Sequence, residues 1–156
     1  MREDKPDVLE MLIKHELAIK ELYTIFASMF KNHEGFWRNL AADEQRHADW
    51  LAELRSHSVT SACLLHHCQL RPQGIKSSIG YVEREITRAK EGHFDLLQAL
   101  SVSGDLESAL LERQFSKLKD STPEVISSVL TRLVEETERH RKTVMEALAA
   151  ERRKSS

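Results

Sequence analysis

Residues 37–54, WRNLAADEQRHADWLAEL, decide the fold. The run holds neither Gly nor Pro, and Trp37, Leu40, Glu44, His47, Leu51 and Leu54 recur at alternating steps of three and four, the spacing of one helix face. Four of these six residues are the bulky apolar kind that an inward face requires. The other two, Glu44 and His47, stand where an ordinary soluble helix carries Leu or Ala.

The same spacing extends over most of the chain. A first helix can start near Pro6, which suits a first-turn position, and its stripe runs Leu9, Leu12, Ile19, Tyr23, Phe26 and Phe30. Continuing the spacing from Leu12 to Ile19 lands on Glu16, a second carboxylate in a core position. KNHEG (31–35) interrupts the pattern before the helix quoted above. The stretch SHSVTSACLLHHCQLRPQG (56–74) has no clean periodicity and contains Pro72 and Gly74, so it reads as a long connection. Residues 75–92, IKSSIGYVEREITRAKEG, read either as a short helix or as the beginning of the third long one, whose body runs from about Phe94 to Leu118. In KDSTPEV (119–125), Thr122 is a candidate N-cap and Pro123 a first helical residue. The last helix carries Ile126, Leu130, Leu133, Thr137, His140 and Val144 before a charged tail.

Composition agrees with an all-α chain. Aromatic residues make up 6% and charged residues 31% of 156, with five Gly and three Pro. The length suits a single domain over 1–156, and the expected architecture is a four-helix bundle of two helical hairpins joined by a long central crossover. A formal charge of -2 gives no basic face for nucleic acid. The opening MREDKPDVLE has no apolar signal-peptide core and no run is long enough to span a bilayer, so the expected location is the cytoplasm, away from membranes. Cys63 and Cys68 are too few for a disulfide framework. Their Cys-x4-Cys spacing, with His66 and His67 between, is not that of a zinc knuckle, and the bland reading is two small hydrophobes in a partly buried crossover.

The two hairpins resemble each other. HELAIKELY (15–23) over LESALLERQ (106–114) pairs Glu16 with Glu107, and LAADEQRH (40–47) over LVEETERH (133–140) pairs Arg46 with Arg139 and His47 with His140. Two related hairpins bring matching positions together about a pseudo-twofold axis, so Glu16, Glu44, His47, Glu107 and His140 are expected to converge. Residues three apart on a helix point within about 60° of each other, which makes Glu-x-x-His a fork for one ion. Several inward carboxylates repel one another unless multivalent cations compensate them, and a mixed carboxylate and imidazole set suits iron or manganese. Glu21, Glu112, Glu135 and Glu138 fall off the seam and read as solvated face charges. Tyr23, about 20° around the helix from Glu16, reads as a core tyrosine with donation to a ligand carboxylate as the alternative.

Four segments, HELAIKELYTIFASMF (15–30), DEQRHADWL (43–51), DLESALLERQF (105–115) and EETERHRKTV (135–144), resemble the rubrerythrin-like branch of the ferritin-like superfamily. The likeness spans roughly residues 9–148. It implies a non-haem diiron bundle that reduces peroxide or dioxygen or oxidises ferrous iron, with manganese or zinc as other candidate metals. Carried over by position, the implied ligands are Glu16, Glu44, His47, Glu107 and His140. The chain departs from the family pattern in two ways. Thr137 stands where a second bridging carboxylate is expected, leaving Glu136 as the nearby carboxylate that could swing inward, and no rubredoxin-type pair of Cys-x-x-Cys motifs is present. A separate electron-donor protein is therefore an expected partner, and a homodimer stays open. The competing expectation is a non-catalytic scaffold or dimerisation module that kept the bundle and lost the metal.

Overall fold

The computed structural model describes residues 7–56, 72–110 and 124–155, which are helical almost throughout and contain no strand. Helix α1 spans Val8–Met29, and after a 3-10 turn at Lys31–His33, α2 spans Glu34–Ser56. Helices α3 (Pro72–Lys90), α4 (Leu96–Ala109) and α5 (Glu124–Ser155) complete the described elements. Cys63, His66, His67, Cys68, Glu112 and the expected cap at Thr122 and Pro123 lie outside the described residues.

Local chemistry sets the ends of these helices. Asp7 caps α1 by accepting from the Glu10 backbone N–H at 3.0 Å, one residue after the proline expected to open the helix. Arg55, in the last turn of α2, donates to the same carboxylate at 2.6 Å and to Glu10 at 3.3 Å, which ties the end of one helix to the start of its antiparallel partner. Pro72 and Gly74, expected in a connection, belong instead to the first turn of α3, where a missing proline N–H costs nothing because that donor has no partner within the helix.

Between α3 and α4 the chain changes direction by a defined device. Gly92 adopts φ 77°, its N–H donates to the Ala89 carbonyl at 3.0 Å, and the His93 N–H donates to the Arg88 carbonyl at 3.2 Å. This double bond pattern closes a helix C-terminus, and the left-handed residue in it is one that only glycine adopts without strain. Asp95 then opens α4 with a reciprocal cap, accepting from the Gln98 N–H at 2.7 Å while the Gln98 side chain accepts from the Asp95 N–H at 3.0 Å. The stretch 75–92 therefore belongs to a helix of its own, which ends at Lys90, and the next helix begins at Leu96.

Helix α1 packs along both α2 and α3, α4 packs along α5, and α2 meets α5 over a short stretch. The inner seams are the ones the spacing marks: Leu9, Leu12, Ile19, Tyr23 and Phe26 on α1, Trp37, Leu40, Leu51 and Leu54 on α2, and Leu130, Leu133, Val144 and Leu148 on α5 are all buried. Ile75, Ile79, Val82, Ile86 and Ala89 give α3 its buried face. Trp37 is fully buried at the centre of an aromatic group, with ring centroids 4.9 Å from Phe26, 5.0 Å from Phe36 and 5.7 Å from Tyr23. Phe94, just ahead of α4, closes on Phe26 at 5.4 Å. No helix among the described residues is long and apolar enough to cross a membrane.

Two substitutions test this account by urea unfolding. Gly92→Ala places a Cβ on a left-handed residue and is expected to cost about 1–2 kcal/mol. Trp37→Ala empties the centre of the aromatic group and is expected to cost about 3–5 kcal/mol.

Candidate metal centre

Four helices each bring polar side chains into the middle of the packed layers: Glu16 from α1, Glu44 and His47 from α2, Glu107 from α4 and His140 from α5. All are buried, with exposures of 0% for the three glutamates, 1% for His47 and 5% for His140. Glu44 lies between the two imidazoles, its oxygens 3.5 Å from His47 Nδ1 and 3.3 Å from His140 Nδ1. Glu16 approaches His47 Nδ1 at 3.7 Å, and Glu107 approaches His140 Nδ1 at 3.7 Å. The imidazoles stack with centroids 5.3 Å apart. The result is a nearly symmetric row, Glu16, His47, Glu44, His140, Glu107, in which the helix register of each residue supplies one member.

Close approach here does not mean hydrogen bonding. Both oxygens of Glu16, both of Glu44, Glu107 Oε2 and the Nδ1 atoms of His47 and His140 are buried with no hydrogen-bond partner. Unpartnered buried polar atoms are rare and costly, and seven of them converging on one place is a donor set without an acceptor of its electron pairs. One ligand atom from each of Glu44, His47 and His140 falls within 4.8 Å of the others, a separation one cation can span. The residues present therefore fit a metal ion.

The far sides of the imidazoles are held. His47 Nε2 lies 3.2 Å from Glu136 Oε1, and His140 Nε2 lies 2.8 Å from Asp43 Oδ2. A carboxylate only accepts, so each Nε2 carries a proton and each ring turns Nδ1 inward, the nitrogen that offers its lone pair to a cation once its own proton leaves. Arg46 clamps the two carboxylates together, reaching Asp43 at 2.9 Å and Glu136 at 2.5 Å. Asp43, Glu136 and His140 also bring ligand atoms within 4.8 Å of one another, but the guanidinium of Arg46 is already paired with both of these carboxylates. Glu136, expected as the carboxylate that swings inward, thus sits behind His47 rather than beside Glu44. Thr137 is fully buried, and its Oγ1 has no partner.

Tyr23 does more than fill the core. Its hydroxyl donates to Glu107 Oε1 at 2.8 Å, fixing one oxygen of that carboxylate from across the bundle. The sequence pattern did not single out Asp43 and Arg46 as part of the site, although the internal repeat aligns Asp43 with Glu136. His15, buried beside Glu16 on α1, also went unmarked. Glu135 and Glu138 are exposed as expected, and Glu21 pairs at the surface with Lys90 at 3.4 Å.

Electrostatics in the metal-free cluster follow from this crowding. Burial pushes the Glu16 carboxyl well above its usual range, reinforced by Glu44 beside it. Burial and Glu44 push Glu107 up to about 7, and burial with the Glu107 charge raises the Tyr23 phenol. Burial alone would favour neutral imidazoles, but the facing carboxylates win, holding His47 up at about 10 and His140 up at about 11. Burial opposes the charged form of Glu44, but the protonated Glu16 carboxyl beside it and then both imidazolium ions outweigh that, and its carboxyl is held well below the ordinary value. Without a cation the cluster is thus a chain of buried charges compensated by protons.

The chain matches no protein-family model, no curated protein and no solved structure.

Two outcomes are expected from these charges. In chelator at pH 7, Glu44→Leu strands two imidazolium ions and costs about 3–5 kcal/mol in urea unfolding, whereas Glu44→Leu combined with His47→Leu and His140→Leu recovers most of that loss. Both imidazoles are protonated at pH 7 because their folded values lie near 10 and 11, and the Glu16 and Glu107 carboxyls are raised as well, so seating cations on the cluster must release at least about two protons per chain. Calorimetry in buffers of different ionisation heat reads that release, and the affinity should weaken as the pH falls.

Proposed function

We propose that this chain is a ferritin-like bundle that holds a pair of divalent cations, iron or manganese, and works as a redox protein toward peroxide, dioxygen or ferrous iron. The observation that carries the reading is the convergence of seven unpartnered donor atoms from four helices on a fully buried place. In this reading Glu16 and His47 would hold one cation and Glu107 and His140 the other, with Glu44, which faces both imidazoles, available to each. Mixed oxygen and imidazole donors favour iron and manganese over metals that take thiolate. Bound there, such a pair supplies one-electron redox chemistry and an open coordination position for a small oxidant.

The chain's own contributions are positional. Asp43 and Glu136 keep the Nε2 protons in place, so the Nδ1 atoms stay available as ligands. Tyr23 fixes the orientation of Glu107, and the burial of all five ligands keeps bulk water away. Electrons would come from a separate protein.

One observation favours a second reading, a scaffold that has given up its metal. The uncharged Thr137 stands where the repeat aligns Glu44, and protons on His47 and His140 already compensate the remaining charges. Anaerobic titration of chelator-treated protein with ferrous ion separates the two. The redox reading expects uptake of about two ions per chain and, at a free metal concentration a hundredfold above Kd, stabilisation by about 2.7 kcal/mol for each ion bound, with a higher Tm. A folded protein that takes up neither iron nor manganese would establish the scaffold instead.

A further inference from the structure

The repeat pairs Glu16 with Glu107 and His47 with His140, but it does not pair Glu44 with a carboxylate. Glu44 stands three residues before His47, and the residue three before His140 is Thr137. Both positions are fully buried, and each shares a helix face with an imidazole whose Nδ1 points into the cluster. On the α5 side, therefore, a side chain two heavy atoms shorter, with no charge, occupies the place of a bridging carboxylate.

Thr137 also behaves unlike other helical hydroxyls in this chain. Thr24, Thr87 and Ser103 each donate to the carbonyl four residues back, at 2.8, 3.2 and 2.7 Å. Thr137 Oγ1 does not; it is buried and has no partner. A buried hydroxyl that forgoes its own helix carbonyl leaves a donor to satisfy. The neighbouring Glu136 cannot fill the gap, because it is held outward by Arg46 at 2.5 Å and by His47 Nε2 at 3.2 Å.

We propose that the cation pair recruits a small carboxylate-type anion, formate or bicarbonate in class, which takes the place of the missing fourth carboxylate and accepts a hydrogen bond from Thr137 Oγ1. This rests on the two-cation reading of the centre. The protein offers each cation one imidazole, one terminal carboxylate and one oxygen of Glu44, fewer donors than the about six that iron and manganese take in octahedral sites. Asp43 and Glu136 lie behind the imidazoles and are paired with Arg46, so they add no ligand. An anion with two oxygens on one carbon completes both cations from the α5 side as Glu44 does from the α2 side.

The test uses the full chain and cobalt(II), which is redox-stable and coloured, in a sulfonate buffer stripped of carbon dioxide and carboxylates. Metal content and the visible cobalt bands are followed with no anion, with formate, with bicarbonate and with chloride. The second cobalt is expected to bind at least about tenfold more tightly with formate or bicarbonate than with chloride, with a shift of its visible bands. Thr137→Glu should bind both ions tightly with no response to formate. Thr137→Val, which keeps the shape and removes the hydroxyl, should still bind cobalt but lose most of the formate effect. Two cobalt ions bound equally well with and without formate, or chloride acting as well as formate, overturns the anion while leaving the metal reading intact. A chain that binds no cobalt, iron or manganese overturns both.

Discussion

Glu44 is the constraint on which the rest of the structure depends. A lone carboxylate with no exposed surface is among the costliest groups a small bundle can bury, and here it is tolerated because an imidazole faces each oxygen, at 3.5 and 3.3 Å. Those imidazoles come from different helices, His47 from α2 and His140 from α5, so the charge is compensated only when the two helices lie at one depth. The pairing of Glu44 with His140 adds a register constraint between α2 and α5 to that of the apolar seams.

Around that contact the polar groups are arranged in layers of decreasing burial. The inner row of Glu16, Glu44 and Glu107 is fully enclosed, the imidazoles are almost so, and Asp43 and Glu136 stand at the edge with side chains 30% and 15% exposed. Arg46, about half exposed, closes the outside. Each step outward gives the charge more water and a closer partner, which is how a bundle of this size carries charge through its middle. The one departure is Tyr23, which reaches Glu107 from the aromatic side and so joins the polar row to the Trp37 group that packs one end of the bundle.

How far the sequence revealed this depends on which force fixed each residue. Glu16, Glu44, His47 and His140 were legible because helical spacing is a strong signal and a charged residue on an apolar seam is conspicuous. Glu107 was legible only through the repeat, since its own helix carries Ser103 and Gly104 on the buried face. The separate existence of α3 was written in Gly92 and Asp95, yet an Ile-rich amphipathic run followed by a single glycine is equally compatible with one long helix; the left-handed φ of Gly92 decides it. Tyr23 could not be settled by spacing, because a buried ring and a ligand-positioning ring occupy the same seam position and differ only in what stands opposite the hydroxyl. The inward or outward turn of Glu136 was likewise beyond the pattern, since it depends on Arg46, which lies on another helix ninety residues away.

The outer carboxylates cross between α2 and α5, and that crossing has a consequence for assembly. Asp43 of α2 holds His140 of α5, while Glu136 of α5 holds His47 of α2. Arg46 then joins Asp43 to Glu136. Neither α2 nor α5 alone holds its own imidazole, and the inward turn of both Nδ1 atoms depends on the contact between them. Contact between α2 and α5 is otherwise short, and this exchange is a large part of what sets their register. The donor set draws on both α2 and α5, so anything that binds it holds these helices together. Stability gained at the centre is stability of the α2 and α5 interface, and the same geometry that makes the cluster a candidate metal centre makes it the joint of the fold.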